Sequence, residues 1–163
     1  METRDILEIT SPSLADFRRH LRITSNDLDA ELHAKLRAAI LLAEQEISTV
    51  IAPSEYGITC KFVHNLGLRW PVRSVTRVKV DGELLPETDY SFTEKCLTIS
   101  EGVAGSRMEV VYEAGLEQVP EDVQAAILLL AGSLFNNPTD RPEERDRTTA
   151  RNLLRPYRTW GDH

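Results

Sequence analysis

The longest apolar run in the chain lies at residues 125–135, where only Gly132 and Ser133 interrupt it. Pro120 suits the first turn of a helix, where a missing N–H costs nothing, and Glu121 and Asp122 favour its positive end. Asn136, Asn137 and Pro138 stop it, because proline disfavours helical geometry in the residue before it. The pattern therefore predicts a helix over 119–136 with no polar face. Such a helix belongs inside a core or between subunits, and here it reads as a central buried helix. It is too short for a bilayer, which takes ~20 apolar residues.

Earlier in the chain the period stays helical. Leu14, Phe17 and Leu21 keep i, i+3, i+7 spacing, and Ser13 with Asp16 three residues on resembles a capping box. After a turn at 24–27, Leu28, Leu32, Leu36, Ile40, Ala43, Ile47 and Val50 advance by close to 3.6 residues and predict a helix to about residue 51. Its apolar stripe is expected to pack on the 119–136 helix, with Glu31, Lys35, Glu44 and Glu46 on the opposite, solvent face. Past Pro53 the period changes to two. Short β-prone segments at 56–63, 66–70, 74–80, 90–92, 97–99 and 108–112 predict about six antiparallel strands. Val78 and Val80 share a face, with Val75 offset onto the other. Asp81 and Gly82 are the pair a type I′ hairpin prefers. A last helix is expected from about 142 to 155, ended by Pro156.

These elements predict an α+β fold. Two N-terminal and two C-terminal helices form a helical core, and an antiparallel β-region at about 56–113 is inserted between the second and third. The length, 163 residues, suits one domain, with a tail at 156–163. No apolar segment opens the chain, so no secretory signal is expected. Cys60 and Cys96 match no zinc or redox spacing and read as free thiols, a disulfide between neighbouring strands remaining open.

Charge changes the picture more than composition does. The net charge of −7 is uneven: residues 81–122 carry eleven acids against Lys95 and Arg107, while 141–163 sum to +2. A nucleic-acid binder displays basic patches; the middle of this chain does the opposite. Fifteen of the nineteen basic residues are arginine, which favours planar, bidentate pairing at interfaces. Arg147, Arg151 and Arg155 fall on one face of the last helix. That stripe is a solvated face, an interface for acidic partners, or a phosphate contact. With Tyr157 and Trp160 beyond it, an aromatic and basic chain end is rarely built for solvation alone.

Converging catalytic groups are not visible. His20, His33, His64 and His163 lie on different elements without ligand spacing. No serine or cysteine sits in a nucleophile elbow, and the glycines at 102 and 105 lack the context and lysine of a phosphate loop. The acids of 81–122 have no EF-hand spacing. No catalytic residue, cofactor or metal is expected.

Several strings taken together resemble a known family: VVYEAG at 110–115, VPEDV at 119–123 and AILLL at 126–130. Upstream stand LADFRRHL at 14–21 followed by RIT, WPV at 70–72, the hairpin at 74–82 and DYSF at 89–92; downstream stands NLLRPYR at 152–158. In order and spacing they are similar to the head–tail connector (adaptor) proteins of tailed bacteriophages and prophages. The long β-region at 56–113 departs from the smaller, mainly helical members. The resemblance implies a non-enzymatic virion protein, assembled in the bacterial host cytoplasm. It implies a homo-oligomeric ring, with portal and tail or neck proteins as partners and no membrane. DNA passes through the ring without sequence-specific binding. Arg147, Arg151, Arg155, Tyr157 and Trp160 are the interface candidates. An enzyme-like module binding a small ligand or metal through the acids of 81–122 is the alternative.

Overall fold

The structure, a computed structural model, describes residues 1–137 and 142–158. The chain divides into two compact units: residues 1–8 with 52–116, and residues 9–51 with 117–163. The first holds strands and a 3-10 turn at Glu87–Asp89, and the described residues of the second hold only helical elements, so the fold is α+β.

The β unit holds a five-stranded antiparallel sheet in the order β1 (Glu2–Ile6), β2 (Ser54–Lys61), β8 (Arg107–Ala114), β4 (Val72–Val80), β5 (Glu83–Leu84). A second sheet of three strands runs β3 (Asn65–Gly67), β7 (Cys96–Ile99), β6 (Tyr90–Phe92). Strand β8 is central, and its alternation is clean: Met108, Val110, Tyr112 and Ala114 are buried, Glu109, Val111 and Glu113 half-buried.

Strand β4 corrects the expectation for Val75. Its register against β8 slips twice, between Val72 and Ser74 and between Val75 and Arg77. Each bulge absorbs one residue. Val72, Val75, Val78 and Val80 therefore all oppose buried residues of β8 and share one face. The turn after β4 is as expected: Asp81 (φ 50°) and Gly82 (φ 89°) both adopt positive φ, as a type I′ hairpin requires. Gly115 ends β8 at φ 143°, and a Cβ there would stand 2.9 Å from Pro53 Cα. The last glycine of the 110–115 string is thus held by conformation and by close backbone approach.

The sequence pattern missed β1 and β5. Strand β1 pairs only with β2 and has one side without a strand neighbour. Its exposed, charged residues carry no apolar alternation to announce it.

In the helical unit, α1 (Leu14–Leu21) begins with the expected capping box, Ser13 Oγ accepting the Asp16 N–H and the Asp16 carboxylate accepting the Ser13 N–H. Ser13 Oγ also donates to that carboxylate at 2.7 Å, and this bond, with the one from the Ser13 N–H, holds the Asp16 carboxyl below the usual range. Helix α2 spans Asp29–Ile47, α3 spans Glu121–Asn136 and α4 spans Glu144–Leu154. Arg18 of α1 forks onto Asp29 of α2, Nε to Oδ1 at 2.7 Å. Helices α2 and α3 pack together, and α3 with α4. Leu36, Ile40, Ile127 and Leu130 are all buried.

Two expectations for these helices need correction. Glu44 is not on the solvent face of α2: it is buried, and its Oε1 accepts the Ile51 N–H at 2.8 Å. It serves the turn that leaves the helix. Nor is α3 enclosed on every side, since Ala125 is exposed and Leu128, Leu129 and Phe135 are half-buried. No helix among the described residues is long and apolar enough to cross a membrane.

Candidate assembly interface

Helix α4 is tied back to α3 at its start, where buried Ser133 accepts the Glu143 N–H at 2.8 Å. The one hydroxyl in the apolar run of α3 is therefore a fastening for the next helix. A 3-10 turn at Arg155–Tyr157 continues α4, and Arg155 still has helical dihedrals. Arg147, Arg151 and Arg155, spaced by four, span ~12 Å along one side of the helix. All three are exposed and Tyr157 is half-buried. Trp160 lies outside the described residues.

The three arginines are not equivalent. Arg151 Nε lies 3.0 Å from Glu46 Oε1 of α2. The same carboxylate takes Arg158 Nη2 at 3.1 Å, while Arg158 Nε donates to the Glu46 carbonyl at 3.1 Å. Glu46 thus clasps α4 and the segment after it to α2. Sequence reasoning placed Glu46 on a solvent face and overlooked Arg158. The partners are 112 residues apart, and no local pattern signals them. Arg147 and Arg155 have no ion-pair partner among the described residues. They are the open charges of the stripe.

The acids of 81–122 do not converge. Among the described residues, no three of His, Cys, Asp and Glu are placed to hold a metal ion. Asp81 is occupied structurally, its carboxylate accepting the N–H groups of Ser106 and Arg107 at 2.9–3.2 Å. Glu109 stands opposite Lys79 on β4, a favourable cross-strand pair. Glu83, Glu87, Glu94, Glu101, Glu117, Glu121 and Asp122 are exposed. Cys60 and Cys96 are free and half-buried.

An open cleft of about 410 Å³ lies in the β unit, lined by Met1, Glu2, Thr59, Cys60, Leu68 and Arg69 among others. Its charges are neutralised internally. Arg69 donates from Nε and Nη2 to the two Glu2 oxygens at 3.1 and 3.0 Å. That fork holds the Glu2 carboxyl below its usual range and raises Arg69. Beside it, the Arg69 N–H donates to Tyr112 Oη at 3.0 Å. Tyr112 stacks on Tyr56, directly opposite it in register, at 5.3 Å. Arg4 lies over Tyr56 and donates to Ser54 Oγ. The Glu2 and Arg69 side chains of the cleft are thus paired to each other.

What the molecule presents outward is therefore a set of surfaces: an open arginine edge on α4, dispersed acids, and partly uncovered apolar helix sides. No protein-family model and no curated protein matches the chain. Solved structures do match it. A chain from the neck of an empty gene transfer agent particle, computed with C6 symmetry, has a TM-score of 0.77 at 20% identity, covering 99% of this chain and 97% of that one. The fold is that of a particle neck chain. A native gene transfer agent virion contains a chain with a TM-score of 0.74 at 20% identity, and a native neck computed with C12 symmetry one with a TM-score of 0.74 at 19%. Both alignments cover 99% of this chain and 97% of the matched chain. Coverage this complete takes in the helices and the long β-region at 56–113 alike.

Proposed function

We propose that this chain is a head–tail connector: a structural protein forming a ring of identical copies in the neck of a phage-like particle, between portal and tail, with DNA passing through the centre. The observation that carries the reading is the end-to-end likeness to the neck chain of a gene transfer agent, at a TM-score of 0.77. Necks of that particle were computed with C6 and C12 symmetry, which supports a closed cyclic assembly here.

The role asks for surfaces and no bond-making step, and the acids serve as a surface. An acidic wall repels phosphate and lets DNA slide, whereas a basic groove would hold it. The portal and the tail or neck proteins are the further partners, and the particle is assembled in the host cytoplasm. Arg147, Arg155 and Tyr157, with Trp160, form the contact toward those partners. Arg151 is already engaged by Glu46 and acts by positioning the helix.

The test is the mass of the purified chain in solution and in the presence of portal rings, with negative-stain imaging. Closed rings are the expected result. A chain that remains a monomer at high concentration and also ignores portal rings sinks the reading.

A further inference from the structure

The helical unit has two apolar sides that the described residues leave open. On α2, Ala30, Ala34, Leu41 and Leu42 are all exposed, the two leucines by 36% and 37%. At 3.6 residues per turn, Ala30, Ala34 and Leu41 fall on one line over ~16 Å, and Leu42 lies roughly 100° further round the helix. On α3, exposed Ala125 shares a side with half-buried Leu128 and Leu129. Because α2 and α3 pack on each other, these open sides point away from the interior they share.

The charges beside the two sides are opposite. Arg37 is exposed on the same line of α2, between Ala34 and Leu41, and Glu121 and Asp122 are exposed at the start of α3. None of the three has a side-chain partner among the described residues. Two different, complementary patches on one molecule make a heterologous contact, the kind that closes into a ring when the rotation allows.

We propose that neighbouring copies join through these two sides. Helix α2 of one copy, through Ala30, Ala34, Leu41 and Leu42, packs on Ala125, Leu128 and Leu129 of α3 in the next. Arg37 meets Glu121 and Asp122 across the contact. The inference rests on the ring reading and goes beyond it by naming both surfaces. The alanines let the helix axes approach within the 8–10 Å typical of packed helices, and the leucines supply the apolar area.

The experiment uses the full chain with Leu41→Asp and Leu129→Asp, each on a side that is open in the monomer, with circular dichroism to confirm folding. Wild type forms rings. Each variant alone fails to, its subunit contact weakened by at least roughly tenfold. Mixed in equal amounts, the two variants form a dimer and stop, since one intact α2 side meets one intact α3 side. As a second arm, Arg37→Glu weakens assembly, and adding Glu121→Lys and Asp122→Lys to that chain restores it. Wild-type rings with unaffected variants overturn this contact and leave the ring reading standing. Variants that fail, with no dimer on mixing and no rescue by charge reversal, also overturn it. A wild type that never assembles, even on portal rings, overturns the ring reading itself.

Discussion

A connected polar cluster in the β unit and a set of arginines left unpaired among the described residues of the helical unit use their charges in opposite ways. In the β unit Arg69, Glu2, Tyr112, Tyr56, Arg4 and Ser54 form a connected set of hydrogen bonds and ring contacts. In the helical unit Arg37, Arg147 and Arg155 have no ion-pair partner among the described residues, and leucines stand on open sides. The difference has a physical origin. A strand must find its backbone partners on another strand, so side chains on a sheet meet across the ladder and settle their charges locally. A helix satisfies its own backbone, so one side suffices for the core and the rest is free to serve a partner. If the proposed ring contacts hold, that cluster of the β unit is scaffold and the open charges of the helices serve assembly.

The strongest way to break that contrast is to remove packing from each unit in turn. Leu130, buried in α3, is expected to cost ~2–5 kcal/mol on Leu130→Ala, because deletion leaves a cavity as well as losing apolar burial. Leu84, on the hairpin strand β5 and 66% exposed, is expected to stay within ~0.5 kcal/mol on Leu84→Ala. Urea midpoints measure both. An unmoved midpoint for Leu130→Ala shows that the α2–α3 contact is not the core.

Next in size is Tyr112, whose hydroxyl accepts the Arg69 N–H. Tyr112→Phe leaves that donor unsatisfied and is expected to cost ~1–3 kcal/mol. The same residue gives a pH signature. Burial pushes the Tyr112 phenol from 10.0 up to about 12, so the folded state holds its proton where the unfolded chain releases it. The contribution is full below pH 10 and is lost as pH rises from 10 toward 12. Wild type should lose stability across that window and Tyr112→Phe should lose less. Parallel curves would show that the hydroxyl is not buried as described.

How much of this could be read from the chain follows from how local each cause is. The Ser13–Asp16 capping box and the Asp81–Gly82 turn depend on residues at most three apart, and both stand as expected. The α2 stripe follows from a period and is legible from Leu32 to Ile47, while Leu28 stands exposed before the helix and the helix ends at Ile47, short of residue 51. Val75 was misplaced because a bulge is set by the partner strand and leaves no mark in a residue count. Glu44 looked like a surface acid until the chain turned back and offered it the Ile51 N–H. At the candidate interface the arginine spacing was legible, but the clasp of Glu46 on Arg151 and Arg158 was not. That clasp reduces the open stripe to Arg147 and Arg155.

The smallest expected effect sharpens the division within that stripe. Arg151 is 50% exposed in its pair with Glu46, and such pairs contribute ~0.2–1 kcal/mol. Arg151→Glu should therefore lower stability slightly and disturb α4, while Arg147→Glu and Arg155→Glu should leave stability unchanged. Assembly should respond the other way, weakening most for Arg147→Glu and Arg155→Glu, whose charges are free to meet acids on a partner. Lys61→Glu, on β2 and outside the stripe, is the control and should leave assembly intact. The effect should also shrink with added salt, since exposed charges more than ~8–10 Å apart are screened near physiological ionic strength. Assembly mass across a salt series, measured for wild type and the four variants with and without portal rings, reads all of this. Retention on duplex DNA at low salt completes it, because a channel wall should bind DNA weakly. Tight DNA binding by the wild type that disappears in Arg147→Glu and Arg155→Glu would mean that the arginines meet phosphate and not protein acids, and the contrast between scaffold and assembly unit would have to be redrawn around nucleic acid.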